Sequence, residues 1–97
     1  MQAIQYRNLF KAWKEFSEAL DNKILDIEFR GRVHDAYYKS LEAVIGDDDR
    51  WDWIGWWVLD NQFGKNGLTG YMTFENDERV DVKDQEDLIK VLVRMEK

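Results

Sequence analysis

Asp47, Asp48, Asp49 and Asp52 place four carboxylates within six residues, a density that raises divalent-cation binding as a first chemistry. A calcium loop takes its ligands at alternate positions, with a central Gly and a Glu at the twelfth. Contiguous aspartates followed by Arg50 and Trp51 do not fit that spacing, so the run reads as a loop feeding a helix cap. His34 is the single imidazole. A general-base role needs a nucleophile and an orienting carboxylate, and no motif supplies them, so His34 reads as a surface or helix-face residue. Gly64, Gly67 and Gly70 recur at steps of three. A phosphate-cradling loop follows a strand and opens a helix. These glycines follow a tryptophan-rich stretch and open a strand, which is turn punctuation. Paired carboxylates of the glycosidase kind need a cleft, for which a chain of 97 residues has little room. No catalytic, cofactor-binding or metal-ligating residue is assigned, and enzyme activity is not expected.

The remaining candidates recognise rather than react. Trp51, Trp53, Trp56 and Trp57 are four of the five tryptophans. A large rigid ring is a favoured interface anchor, and it is equally a core filler in a small domain. Two or three of the four are expected inside, with one, Trp56 or Trp53, partly exposed. The charge adds to this. Residues 1–41 carry net +1, residues 42–87 net −9 and residues 88–97 net +2, for −6 overall. The acidic middle repels phosphate and argues against direct nucleic-acid binding. It suits a solvated face, a basic protein partner, or mimicry of a nucleic-acid backbone. The candidate protein-binding residues are therefore Trp53 and Trp56 with Asp47, Asp48, Asp49, Asp52, Glu75, Asp77 and Glu78.

Positioning these residues needs a fold. The unfolded chain exposes about 17,000 Å² and a folded globule of this mass about 5,900 Å², enough burial for one modest core over residues 1–97. There is no Cys, hence no disulfide or thiolate site, and no Pro. No apolar run reaches the ~20 residues of a membrane span. With no signal peptide, a cytoplasmic location is the default.

Tyr6, Leu9, Phe10, Trp13, Phe16 and Leu20 recur at helical steps and predict a helix over about 3–20. Residues 24–32 are ambiguous: Ile27 and Phe29 alternate with acids as in a strand, and Gly31 weakens a helix, so an extended or turn-like segment is favoured. A second helix follows over about 32–45, burying Val33, Tyr37, Leu41, Val44 and Ile45 and closing at Gly46. Residues 50–62 are read as a helix, with a strand as the alternative. Asp49 would cap it and Asp52 would occupy the third turn position. Apolar residues fill so much of its circumference that it must be covered on most sides. Phe63-Gly64 and Asn66-Gly67 make the exit turn. Residues 68–74 and 79–82 read as a hairpin around Glu75–Glu78. A lone hairpin is marginal, so it packs on helices or pairs with a third strand, for which 26–30 is the candidate. A last helix spans about 85–96, capped by Asp84 with Asp87 in a capping-box position.

The string Trp51-Asp52-Trp53-Ile54-Gly55-Trp56-Trp57, then Asp60-Asn61-Gln62-Phe63-Gly64-Lys65-Asn66-Gly67-Leu68, resembles small acidic phage- and prophage-type bacterial proteins of uncharacterised function. Their pattern is acid-Trp-Ile-x-Trp-aromatic, then acid-Asn-x-Phe-Gly-x-x-Gly-Leu, a short hairpin, and an acid-Leu helix start that Asp87-Leu88 matches. The likeness covers about residues 33–92. It implies a cytoplasmic accessory protein of mobile-element type and brings no activity or binding residue with it.

The sequence thus predicts an α+β domain, helices packed around a β-hairpin or small antiparallel sheet and ending in a C-terminal helix. Its expected function is a non-catalytic protein-interaction module with an unidentified protein partner, no cofactor, no direct nucleic-acid contact and no membrane. A symmetric homodimer through the hairpin edge or an uncovered Trp face stays open. The alternative is an acidic nucleic-acid mimic that occupies the phosphate groove of a defence enzyme.

Overall fold

The computed structural model describes residues 1–23, 26–46 and 48–96. The chain runs α1 (Ala3–Lys23), α2 (Ile27–Ile45), α3 (Asp49–Gly55), β1 (Gly70–Thr73), β2 (Arg79–Val82) and α4 (Gln85–Met95), with a π-helical turn, Trp56–Asp60, directly continuing α3. Helices around one two-stranded antiparallel sheet make this an α+β fold.

The apolar stripe of α1 goes inward as its spacing requires: Tyr6, Phe10, Trp13 and Leu20 are buried. Rings join α1 to α2. Phe16 stacks on Tyr37 at 4.2 Å, and Trp13 meets Tyr37 at 5.1 Å and Tyr38 at 5.7 Å. Such aromatic pairs add about 0.5–1.5 kcal/mol each beyond their burial. α4 contributes Leu88, Ile89, Val91 and Leu92, all buried. The Asp84 carboxylate caps it as expected, accepting from the Asp87 amide at 2.9 Å. Asp87 departs from the expected capping box by accepting from the Lys83 amide, at 3.2 Å, rather than from that of Asp84.

Several expectations need correction. α2 begins at Ile27, so residues 26–30 form no third strand and the extended reading of the segment fails; residues 24 and 25 lie outside the described residues. The cause is Asp26, whose carboxylate accepts from the Phe29 amide at 3.2 Å and caps the helix. Ile27 and Phe29 are 75% and 51% exposed, so their alternation with acids never reported burial. Gly31 sits inside the helix with open space where a side chain would be, so no close contact requires glycine there. In α2 Val44 faces out, unlike Leu41 and Ile45.

The tryptophan segment is helical, but its cap is Asp48, which accepts from the Arg50 amide at 2.9 Å. Asp49 is thereby the first helical residue and Asp52 the fourth. After Gly55 the helix widens, and the Asn61 amide donates to the Trp56 carbonyl five residues back at 2.9 Å. The widening carries Trp57, Val58 and Asn61 inward together with Trp51 and Ile54. The segment is not covered on most sides: Leu59 is 61% exposed, and Trp53 and Trp56 are only partly buried.

β1 starts at Gly70 rather than Leu68, because both backbone groups of Leu68 are already taken. Asn61, itself fully buried, donates its amide NH to the Leu68 carbonyl and accepts from the Leu68 NH, both at 3.0 Å. This pair of hydrogen bonds closes the loop 61–68. Inside it Gln62, Phe63 and Gly64 are all left-handed, with φ of 49°, 56° and 86°. A side chain on Gly64 would meet Trp57 at 3.2 Å, so glycine is required there twice over. β1 and β2 then pair in register Gly70–Val82 through Thr73–Arg79.

One cation joins the halves. Arg50 donates to the Tyr6 hydroxyl and the Ile45 carbonyl, each at 2.7 Å, and pairs with Asp48 at 2.7 Å and Glu96 at 2.8 Å. It thereby ties α1, the end of α2, the start of α3 and the end of α4. No described helix is long and apolar enough to cross a membrane.

Candidate functional site

Two concavities lie between α3 and β1, and together they collect most of the candidate residues. The first sits at the N-terminal end of α3. Asp48 and Asp49 line it from the helix, Glu75 and Phe74 from the hairpin, and Arg50 and Arg94 from beneath and beside, around about 580 Å³. The hairpin turn thus brings Glu75 to the aspartate run across 26 residues of sequence. The cleft is not a bare acidic surface. Asp48 is engaged by Arg50, whose guanidinium and backbone NH hold its carboxyl below the usual carboxylate range. Glu78 is paired with Arg94 at 2.9 Å, and that guanidinium also lies 4.1 Å over the Phe74 ring. Asp77 is exposed in the turn, in a left-handed conformation with φ 59°. Asp47 lies outside the described residues.

The second concavity lies one helical turn further along α3. Trp53, Trp56 and Asp52 line it from the helix and Thr69, Gly70 and Tyr71 from β1 and its approach, around about 390 Å³. The Trp53 and Trp56 rings stand at 87° to each other with centroids 5.7 Å apart, the edge-to-face arrangement their quadrupoles favour. Gly70 lets the strand come close: a Cβ there would touch Trp53 at 3.4 Å and Trp56 at 3.9 Å. Tyr71 is 57% exposed and carries the Arg79 guanidinium 4.2 Å over its ring. Asp52 is exposed and is the single acid among the lining residues.

The structure therefore separates the four clustered tryptophans into pairs. Trp51 and Trp57 belong to the core, whereas both Trp53 and Trp56, not one of them, are partly exposed on the same groove. It also divides the acids, with Asp48, Asp49 and Glu75 at one cleft and Asp52 at the other. Sequence reasoning missed Gly70 and Tyr71. A glycine inside a strand often marks a close approach, and that signal was present at Gly70.

His34 packs between α1 and α2 against Trp13 and Phe16, at 5.8 and 6.3 Å between rings. Its buried Nε2 has no hydrogen-bond partner among the described residues. No three of the described His, Cys, Asp or Glu residues converge as a metal site would require.

Comparison with protein-family models, with curated proteins and with solved structures gave no match. The pattern behind the phage-type resemblance has a local structural account instead. Asn61 closes the loop, Gly64 and Gly67 take positive φ within it, and Ile54 and Trp57 are core. Trp53 and Trp56 are the two tryptophans of that string that stay partly exposed.

Proposed function

We propose that the chain is a non-catalytic protein-interaction module, an accessory or regulatory protein of phage or prophage type. The partner contact is the α3–β1 face, with Trp53 and Trp56 as anchors and the surrounding acids selecting a basic surface. The observation that carries this reading is the pair of half-buried indole rings sharing one groove, in a chain that buries Trp13, Trp51 and Trp57. Exposed aromatic surface beside charge is what interface hot spots are made of. The acidic middle of the chain would speed encounter with a basic partner and set salt dependence more than final affinity. Support for the phage-type part is the resemblance of the Trp51–Leu68 string alone.

The mimic reading draws on the convergence of Asp48, Asp49 and Glu75 at one cleft. It is the weaker of the two, because two guanidinium groups, Arg50 and Arg94, line the same cleft and Arg50 pairs with Asp48. Capture of partners from lysate by tagged protein, at low and at raised salt, separates them. The module reading expects a stoichiometric partner that survives raised salt and is lost in a Trp53→Leu/Trp56→Leu variant. A nucleic-acid-binding partner that leaves at raised salt and ignores the tryptophan changes would favour mimicry. No partner in either condition would count against both.

A further inference from the structure

We infer that the groove between Trp53, Trp56 and Tyr71 seats an arginine side chain from a basic protein segment, with Asp52 as its counter-charge. This rests on the interaction-module reading and names the chemistry that its groove takes. The walls are three aromatic rings, two of them at a right angle. Ring faces attract cations, and tryptophan does so most strongly. In the corner between Trp53 and Trp56 a planar cation can lie on one ring while its alkyl stem packs along the other. Asp52 supplies one carboxylate, no basic residue is among the lining residues, and Arg79, which lies over the Tyr71 ring, is held by Asp81. The chain as a whole is at −6.

Two features select guanidinium over ammonium. Guanidinium is flat, weakly hydrated and able to stack on a ring while its fork meets a carboxylate, whereas ammonium is a compact, strongly hydrated point charge. The same hairpin already stacks guanidinium on rings twice, Arg79 on Tyr71 at 4.2 Å and Arg94 on Phe74 at 4.1 Å. Arg79 also pairs with Asp81 at 2.9 Å, so a ring and a carboxylate hold one guanidinium together beside this very groove. Trp53, Trp56 and Asp52 offer the same pair of groups with no cation among the lining residues. The volume of about 390 Å³ falls in the range, roughly 300–1,000 Å³, of sites that bind small groups.

Gly70 makes the test clean. It lies in a strand, outside the positive-φ region, and a first side-chain carbon there is in ordinary contact with the rings. Gly70→Val suits a strand and fills the groove without removing either tryptophan. The experiment titrates ¹⁵N-labelled full chain with acetyl-arginine amide, acetyl-lysine amide and acetyl-leucine amide, following the five indole N–H signals. The expected result is movement of the Trp53 and Trp56 signals by the arginine amide, with Kd on the order of 1–10 mM. The lysine amide should bind at least about threefold more weakly and the leucine amide should not saturate. Gly70→Val should abolish the shifts, and Asp52→Asn should weaken them by about two- to fivefold. Lysine or leucine amide binding as tightly as arginine amide would overturn the inference. So would shifts that survive Gly70→Val, or no shift at all. If lysate capture depends on Trp53 and Trp56 while the arginine amide leaves them unmoved, the module reading stands and this inference alone falls.

Discussion

The two concavities between α3 and β1 differ in how much of their charge the fold itself uses. At the N-terminal end of α3, the carboxylates of Asp48 and Glu78 are matched by Arg50 and Arg94, and Arg50 is the bond between four elements. One turn along, Trp53, Trp56 and Asp52 line a groove with no basic residue among its lining, the Arg79 guanidinium being held over Tyr71 and by Asp81. The first is acidic by composition but structural by contact. The second is the smaller, and it is the one left with unanswered chemistry. The greater number of acids lies at the first, which also carries two guanidinium groups, whereas the one acid lining the second has none beside it in the lining.

The comparison breaks most visibly if the tryptophan pairs are not different. Trp57→Ala removes a ring that is 2% exposed and should cost about 3–5 kcal/mol, read from denaturant unfolding. A loss below about 1 kcal/mol would mean that the Trp57 ring is not core. Asn61→Ala should cost about 2–3 kcal/mol, since it leaves both backbone groups of Leu68 without their partner. It should also impair the groove, because the closed loop delivers Thr69, Gly70 and Tyr71 to the tryptophans. An Asn61→Ala protein with unchanged groove binding would show that the loop does not set the strand's position.

Charge at the first cleft is tested by pH. Hydrogen bonds from Arg50 lower the carboxyl of Asp48, and Arg7 lowers that of Glu86. Stability from a lowered carboxyl is fully present above its unfolded value and is lost as pH falls through the folded one. Unfolding midpoints should therefore hold through neutrality and drop below the ordinary carboxylate range. Arg50→Met should flatten the part of that drop due to its two carboxylate partners, Asp48 and Glu96, and an unchanged acid profile would mean that neither pairing contributes. The smallest expected effect is Gly70→Val, within about 1 kcal/mol of wild type in stability. A larger loss would mean that strand and rings cannot yield to the added side chain.

What could be read from the sequence follows how local each cause is. Asp84 and Asp87 announce α4 because cap and helix lie within four residues, and the stripe from Tyr6 to Leu20 announces α1 for the same reason. Asp26 caps α2 just as locally, but Ile27 and Phe29 mimic a strand pattern while both stay exposed. Asp48 and Asp49 are adjacent acids with the same capping chemistry, and it is Asp48 that meets both the amide and the guanidinium of Arg50. The groove was half legible: Trp53 and Trp56 stand out, but Tyr71 reaches them only through the loop that Asn61 closes. That closure depends on three successive left-handed residues, two of them not glycine, which no local preference announces.

On the recognition reading, Trp53 and Trp56 are not needed for the fold, unlike Trp57. The most direct test of that reading is denaturant unfolding of a Trp53→Leu/Trp56→Leu protein beside a Trp57→Leu protein. The double variant should lose less than about 2 kcal/mol and keep a cooperative transition, whereas the single core change should lose at least about 3 kcal/mol. If the double variant loses as much as Trp57→Leu or fails to fold, its rings are core after all, and the groove is not a recognition site.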